Sequence, residues 1–475
     1  MVVMKFGGTS VESALALRRM AEIVADRKDE APVVVVSAMA GVTNQLVELA
    51  EMAMEGERGA IDSVLQSLAD RHVETGREIQ APAPGTDAGT ANEIQALCAE
   101  LRDLLHGIRA VGELTPRSRD AVLSYGELLS SQLARAALMA RGLSAVLVDA
   151  RQIILTDRQF TRAQPQEEAI QHRVDEALLP LLASSHPRIP VLGGFIGAAE
   201  DGTTTTLGRG GSDFSAALIG AALNADRIEI WTDVDGILTT DPRLCPQARR
   251  VKVMSFAEAA ESAYFGAKVL HPSTLLPAMA KNIPVWVLNS RAWIAGPPLG
   301  DRTGTLVTLR APRSRSLFKC ISCKRGIAVV DVVSTRMLMA HGFMQAIFEV
   351  FARHACPVDM LATSEVSVSL TVGDTSRLPA IADDLGKFAQ VRYEGRMAIL
   401  CMVGESIRYR PGVAAHVFTA LRDINIRMIS QGASEINIGV VIADDDVPAA
   451  VTRLHEAFFQ DLDPDIFDIR GRHEV

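Results

Sequence analysis

Eleven residues, Thr203 to Asp213 (TTTTLGRGGSD), bring together three glycines, five hydroxyl side chains, one cation and one anion. They run directly into the apolar stretch FSAALIGAAL. That order is the pattern of a loop opening onto a helix N-terminus. Free backbone N–H groups at such a terminus bind anions, and glycines let the backbone come close to them. Arg209 adds a planar fork suited to a carboxylate or a phosphate. In isolation the segment could equally be a Gly/Ser linker, so the elements around it must decide.

Those elements alternate. Val2 to Lys5 is a short apolar start followed by Gly7-Gly8-Thr9-Ser10. Thr9 and Glu12 have capping-box spacing, and Leu17, Met20, Ala21 and Val24 recur at helical spacing. The continuous apolar run from Ala31 to Ser37 predicts a buried parallel strand. Gly41 to Asn44 turns into a helix around Leu46 to Met54. Residues 57–122 read as a polar helical insertion with a loop at Pro82 to Gly89, and a strong helix is expected from Tyr125 to Arg141. Further short strands are predicted at Ala145–Val148, Val191–Phe195, Ile228–Trp231 and Ile283–Leu288. Strands alternating with helices imply a doubly wound, mainly parallel α/β sheet, which binds ligands at the carboxyl ends of its strands. The turns at Gly7-Gly8, Gly193-Gly194 and Gly208 to Gly211 all follow such strands and could line one crevice.

Bulk properties exclude several classes. With 475 residues the chain has room for about three domains. A net charge of −9 argues against nucleic acid as a partner, because phosphate-backbone affinity needs a basic surface. No apolar run approaches the roughly 20 residues needed to cross a bilayer, so no membrane partner is expected. The start MVVMKFGGTS lacks the basic region and long apolar stretch of a signal peptide, and a cytoplasmic location is the expectation. Among six cysteines, Cys320 and Cys323 form a CxxC pair with no second ligand pair nearby. They read as structural thiols on a strand, and no metal ligands are assigned.

The pattern changes after about residue 312. A basic linker, Ala311 to Ser316, leads into an internal repeat. IFEVFARHACPVDMLATSEVSVSLTV begins at Ile347 and VFTALRDINIRMISQGASEINIGVVI at Val417. Ser364-Glu365 and Ser434-Glu435 lie 70 residues apart, as do Phe348 and Phe418. Each unit reads strand, helix, strand, strand, helix. Two similar α+β units of this size are a pair of small domains, not a solenoid. Their placement suggests ligand-dependent regulation, dimerisation, or both.

Taken together, the chain resembles the aspartate kinases of the amino acid kinase superfamily. The matching motifs are KFGGTSV at Lys5, SYGELLSS at Ser124, GGFIGA at Gly193, TTTTLGRGGSD at Thr203, WTDVDGILTTDPR at Trp231 and FGAKVLHP at Phe265. The tail resembles paired ACT domains, and the insertion with the first repeat looks most like the lysine-sensitive, single-function branch. The resemblance implies an amino acid kinase domain over 1–311, with 57–122 as its insertion, and ACT domains over 317–394 and 395–475. The implied reaction is transfer of the ATP γ-phosphoryl group, with Mg2+, to the side-chain carboxylate of L-aspartate. That would give 4-phospho-L-aspartate, the first step toward lysine, threonine and methionine.

The resemblance also implies roles. Lys5 would contact the transferring phosphoryl and the β-carboxylate, and Gly7, Gly8, Gly210 and Gly211 would give the backbone access to phosphates. Arg209 would pair with the α-carboxylate and Glu127 with the α-ammonium, while Ser37 and Thr43 would bond the substrate. Asp213 would orient Arg209 and the substrate, or act through magnesium, or only stabilise a helix N-terminus. Thr232, Asp233, Asp241, Arg243 and Lys268 would contact the nucleotide. Leu238 stands where relatives often carry tyrosine. Magnesium would be held mainly by phosphate oxygens and water. Met337, Ala340, Phe343, Met344, Val358 and Asp359 would line an effector site, with Ser364, Glu365 and Val366 nearby. Asp359 would meet the cationic group of an amino-acid effector, L-lysine on this resemblance. Ala340 stands where relatives often have serine. The matching position of the second unit is Ile429, which cannot pair a charge. A homodimer, or a dimer of dimers, joined through ACT sheets is implied.

Two rival readings remain from the residues alone. One is an amino acid kinase acting on another acceptor, such as acetylglutamate, glutamate or a nucleotide. Glu127 and Arg209 together favour a free α-amino acid. The other is a catalytically silent amino-acid sensor, which the presence of Lys5, Arg209 and Lys268 disfavours.

Overall fold

The first strand, β1 (Val2–Phe6), is buried at every position, Lys5 included. In a computed structural model, residues 1–80, 89–266, 270, 272–296, 304–334 and 341–469 are described. The strands that follow are β2 (Pro32–Val36), β3 (Ala145–Leu147), β4 (Ile189–Gly193), β5 (Ile196–Ala198), β6 (Thr204–Thr206), β7 (Arg227–Thr232), β8 (Val253–Ser255), β9 (Val285–Asn289) and β10 (Thr305–Thr308). Between them lie the helices α1 (Ala14–Ala25), α2 (Val42–Glu55), α3 (Arg58–Gln80), α4 (Gly89–Val111), α5 (Pro116–Ala140), α6 (Glu167–Ala177), α7 (Leu179–Leu182), α8 (Gly211–Ala222), α9 (Phe256–Tyr264) and α10 (Pro272–Ala280). The chain divides into two units: residues 1–236 with 270–310, and residues 237–269 with 311–475.

In the first unit the strands run in the order β3-β4-β2-β1-β7-β9-β10. All neighbours are parallel except the β9–β10 pair. The runs VVMKF and PVVVV are buried throughout, as strands covered on both faces must be. From β1 the chain passes to β2, then to the edge strand β3 and back to β4 between them; only with β7 does it reach the other side of β1. The C-terminal ends of β1 and β7 therefore flank a topological switch point, where open α/β sheets place their ligands.

Local rules were overridden in two places. The capping box expected at Thr9 and Glu12 is absent. Gly8–Ser10 is a single 3-10 turn and α1 starts later, with Ser13 accepting from the Ala16 N–H. The helix expected from Tyr125 begins at Pro116, where Thr115 accepts from the Ser118 N–H and proline fits the first turn. Thus α5 runs unbroken from the insertion into the segment that carries Glu127. Apolar residues of α3 and α4, among them Leu65, Leu68, Leu101 and Leu105, join the same core as Val2, Val34 and Leu129. The loop expected at Pro82 to Gly89 lies outside the described residues up to Gly89, which opens α4.

In the second unit, β11 (Cys320–Val333), β12 (Val358–Thr363), β13 (Ser367–Val372), β14 (Gln390–Val403), β15 (Met428–Gln431) and β16 (Asn437–Ala443) form one sheet, ordered β12-β13-β11-β14-β16-β15. Helices α11 (Phe343–Arg353) and α12 (Leu378–Gly386) flank β12 and β13 in the chain. Helices α13 (Val413–Ala420) and α14 (Val447–Phe458) flank β15 and β16 in the same way. The 70-residue repeat is therefore a repeat of structure. β11 and β14 pair antiparallel from Cys320 opposite Val403 to Val333 opposite Gln390, with register shifts on either side of Ile327. Beyond those shifts β11 pairs with β13, while the far half of β14 pairs with β16. Each long strand thus serves both halves of the sheet. Cys320 and Cys323 lie in β11, and all six cysteines are free thiols.

The described part of the segment, residues 237–266, is fastened into this second unit by polar contacts. Lys319 Nζ lies 2.8 Å from Glu258 Oε2 with both side chains buried. Ser262 and Ser322 share a 2.9 Å hydroxyl contact, and Glu261 accepts from Ser434 and Asn437. Among the described residues, no helix is long and apolar enough to cross a membrane.

Candidate active site

A cavity of about 280 Å³ in the first unit is lined by Lys5, Ser37, Thr43, Glu127, Phe195, Ser212, Asp213 and the loop from Gly208 to Gly211. Most of the walls come from strand ends and helix starts, while Glu127 comes from the middle of α5. Lys5 is near the end of β1, Ser37 follows β2, and Thr43 lies in the first turn of α2. Asp213 lies in the first turn of α8, whose N-cap, Gly210, has φ +73°. The loop before it needs glycine again at Gly208, where φ is +76°.

Close approach of backbones makes the site. A side chain on Gly126 would meet the Ala38 methyl at 2.8 Å, and one on Gly194 would meet Ser212 at 2.7 Å. A methyl on Gly193 would lie 2.9 Å from Glu127 Cβ and 3.1 Å from its carbonyl. Backbone cannot retreat as a flexible side chain can. Gly193→Ala is therefore expected to cost about 1–3 kcal/mol of stability, read by denaturant melts. Unchanged stability would show that α5 yields freely at Glu127.

The charges are arranged unevenly. Lys5 Nζ and Asp213 Oδ1 approach to 2.6 Å with both side chains largely buried, a charge contact whose angle is not that of a hydrogen bond. Asp213 thus faces Lys5, a partner that none of the three roles considered for it from the sequence named. Arg209 is exposed at the cavity mouth, and no ion pair engages it among the described residues. Glu127 is fully enclosed. Its Oε1 accepts from the Ala38 N–H at 3.0 Å, while Oε2 has no partner. Burial pushes its carboxyl up to about 8, against the weaker pull of that N–H and of the Lys5 charge. An enclosed carboxylate with one free oxygen suits a cation delivered by a ligand. The exposed guanidinium suits the anionic end of the same ligand.

Sequence reasoning missed Phe195 and Ser212, which also line the cavity. Phe195 sits at φ +65°, unusual for a bulky residue, and its N–H donates to Ser215 Oγ. No spacing rule signals it. Gly7 donates its N–H to the Trp231 carbonyl, joining the ends of β1 and β7. There Thr232 Oγ1 donates to Asp233 Oδ1 at 3.2 Å. Asp241 and Arg243 fall in the second unit and pair with each other through both carboxylate oxygens. Leu238, in the same unit, forms a bridge with Arg250. Lys268 lies outside the described residues. Among the described residues there is no cluster of His, Cys, Asp or Glu able to hold a metal ion.

A second polar centre lies in the second unit. Asp359 Oδ1 accepts from Lys324 Nζ at 2.7 Å and from the Tyr264 hydroxyl at 3.0 Å. The Asp359 side chain is only 3% exposed, and its Oδ2 has no partner. Phe343, Met344 and Val358 pack against one core in this region. Ser364, Glu365 and Val366 form the exposed turn between β12 and β13, closed by the Ser364–Ser367 hydroxyl contact. Ile429 is 46% exposed on β15. Met337 and Ala340 lie outside the described residues. Lys324 and Tyr264 carried no sequence signal, since each reads as an ordinary strand or helix-end residue.

Comparison with known proteins agrees with this anatomy. Residues 1–289 match the amino acid kinase family model, and residues 400–458 match an ACT domain model. Lysine-sensitive aspartokinase 3 of Escherichia coli (strain K12) is 37% identical over 476 residues, covering 97% of this chain and 99% of that protein. The crystal structure of E. coli aspartokinase III in complex with aspartate and ADP (R-state) matches with a TM-score of 0.84 at 37% identity, over 97% of this chain and 100% of that one. The same enzyme in complex with lysine and aspartate (T-state) matches over the same shares with a TM-score of 0.78 and the same identity. The chain belongs to the amino acid kinase family, among its ACT-containing aspartokinases.

Proposed function

We propose that the cavity binds L-aspartate and that its side-chain carboxylate takes the γ-phosphoryl group of ATP, giving 4-phospho-L-aspartate and ADP. The observation that carries this reading is the convergence of Lys5, Glu127 and Arg209 on one cavity. Glu127 takes the α-ammonium on its free oxygen and Arg209 takes the α-carboxylate, with Ser37 and Thr43 bonding the same substrate. One carboxylate oxygen of aspartate attacks the γ-phosphorus, and the bond to the ADP oxygen breaks. A carboxylate nucleophile needs no general base. The protein's task is positioning and charge neutralisation. Lys5 lies between the two anions, and Asp213 holds its ammonium toward them. Gly7, Gly8, Gly210 and Gly211 let backbone N–H groups reach the phosphates, and Thr232 and Asp233 meet the nucleotide at the end of β7. Asp241, Arg243 and Lys268 are assigned to the nucleotide by the family resemblance alone. Mg2+ bound with ATP would supply further neutralisation of the transferring group.

The product is an acyl phosphate, and hydroxylamine tests for it. Mg-ATP and L-aspartate should yield aspartyl hydroxamate in amounts matching ADP. Turnover only with another amino acid would overturn the substrate assignment.

The state of Glu127 gives a pH signature. Held protonated up to about pH 8 in the free protein, it must lose its proton to pair the substrate ammonium. The KM for aspartate is therefore expected to fall as pH rises from 6 toward 8, by up to about tenfold per unit. Glu127→Gln should remove that slope. The same shift works against the ligand-free fold. Between the ordinary 4.5 and about 8 the folded protein holds a proton that the unfolded chain has lost, so stability declines as pH rises through that window. A flat KM profile in the wild type would remove Glu127 from the ammonium site.

Regulation is proposed through Asp359, with L-lysine as the effector and its cationic group on the unpartnered oxygen. Phe343, Met344 and Val358 supply the apolar wall, with Met337, Ala340, Ser364, Glu365 and Val366 as further contacts. A homodimer through the ACT sheets, in the cytoplasm and at the head of lysine, threonine and methionine synthesis, is the setting this reading favours. The relative solved with lysine and aspartate supports the choice of effector.

A further inference from the structure

Asp120 is a carboxylate that the reaction described above does not use. It lies on α5 seven residues before Glu127, two helical turns away and so on the same face. It is completely buried, and its bonding partners are N–H and hydroxyl groups. The Thr161 N–H reaches both oxygens, at 3.0 and 2.9 Å. The Thr206 N–H donates to Oδ2 at 2.9 Å, and the Thr206 hydroxyl donates to Oδ1 at 2.7 Å. Burial raises its pKa while those donors lower it. A carboxylate suits this place because it accepts from all of them at once and has nothing to donate.

The two segments it holds both lead to Arg209. Thr206 ends β6, three residues before Arg209. Thr161 adopts φ +72°, a left-handed conformation that a β-branched residue keeps only when its surroundings enforce it. Its carbonyl lies 3.1 Å from where a side chain on Gly208 would begin. The Ala163 N–H donates to the Thr206 carbonyl at 2.9 Å, tying the two segments together. Asp120 is thus the clamp of a small assembly whose free end is Gly208-Arg209.

The geometry points to Asp120 as a positioning residue that fixes Arg209 relative to Glu127, so that one helix sets the spacing at which the α-carboxylate and α-ammonium of the substrate are read. Glu127 acts from α5 directly, and Arg209 acts through the clamp. The inference rests on the aspartate reading of the cavity. It assigns Asp120 no contact with substrate and no part in nucleotide binding, since the nucleotide face at the ends of β1 and β7 is held by other bonds.

Asp120→Asn turns one acceptor into a donor that must face an N–H or hydroxyl already pointing at it. Steady-state kinetics on the full chain, with hydroxamate and ADP both measured, gives the test. In Asp120→Asn the KM for aspartate should rise about tenfold, with the KM for ATP within about twofold of wild type. Thr206→Val removes only the hydroxyl donor and should shift the same constant about threefold. In an Arg209→Gln background, Asp120→Asn should add less than about twofold, because its effect is transmitted through Arg209. Equal rises in both KM values, or the full penalty persisting without Arg209, would overturn the proposal. Should Asp120→Asn fail to fold, Thr206→Val alone and in the Arg209→Gln background makes the same comparison. Wild-type protein that forms no aspartyl hydroxamate would instead overturn the aspartate reading, before any variant is compared.

Discussion

Lys5→Met is expected to lower kcat by about 10³-fold, the scale on which loss of one preorganised charge at a developing anion is felt. Lys5 is 8% exposed on a strand whose other residues are apolar. A buried ammonium at that position is costly unless something compensates it, and Asp213, 2.6 Å away, does. The pair leaves the ammonium directed into the cavity shared with Arg209 and Glu127. Methionine keeps the length and apolar character of the stem, so packing changes little. It also strands the Asp213 carboxylate, which would lower stability. The double variant Lys5→Met/Asp213→Asn separates the two effects. It should regain most of the lost melting temperature and none of the lost kcat, measured by hydroxamate formation. Recovery of activity along with stability would mean that Lys5 serves the fold and not the phosphoryl group.

Asp359→Ala should raise the lysine concentration for half-inhibition by about 100-fold or more, judged against the variant's own uninhibited rate. That is about 2.7 kcal/mol, the scale of a charge-assisted bond to a buried carboxylate. Asp359 is enclosed, with one oxygen bonded to Lys324 and Tyr264 and the other unpartnered. A side chain on Gly373 would come within 3.2 Å of Lys324 Nζ and 3.7 Å of Asp359 Oδ2, so Gly373 lies directly against the pair. The isosteric Asp359→Asn keeps the shape and an acceptor for Tyr264 but loses the charge. It should resemble the alanine variant if the effector presents a cation. Inhibition by lysine that survives both changes would place the effector elsewhere.

Much of this is legible in the sequence. Runs such as VVMKF and PVVVV are too apolar for a half-exposed strand, so a parallel sheet followed from burial alone. The loop at Gly208 to Gly211 announced a helix start because its glycines stand directly ahead of an apolar helical run, where they leave backbone N–H groups open to an anion. The Ser-Glu pairs marked the turns before β13 and β16 because the repeat preserves the order of elements. What escaped shares one cause: it depends on partners far apart in the chain. The capping box at Thr9 and Glu12 lost to a turn that ties Gly7 to Trp231. The Lys5–Asp213 contact joins β1 to a helix that starts over 200 residues later, and no spacing rule reaches that far. The strained Phe195 is dictated by Ser215 and Gly211. Nothing in SFAEAAESAYFGAK foretells that α9 belongs with the strands after residue 311, because its bonds to Lys319, Ser322 and Asn437 come from side chains that read as ordinary surface.

The long strands β11 and β14 bear on how this part of the chain can be inherited. A cut between residues 394 and 395 matches the sequence repeat, yet it passes through the middle of β14. The fragment after such a cut would lack the strand from Cys320 to Arg325 that lies against Ala398 to Val403. The fragment before it would present that same strand with an unsatisfied edge, open to pairing with other chains. The two repeats are therefore separable as text but not as objects. A gene fusion, a transplanted regulator or a truncated paralogue built from this tail has to carry both copies or neither.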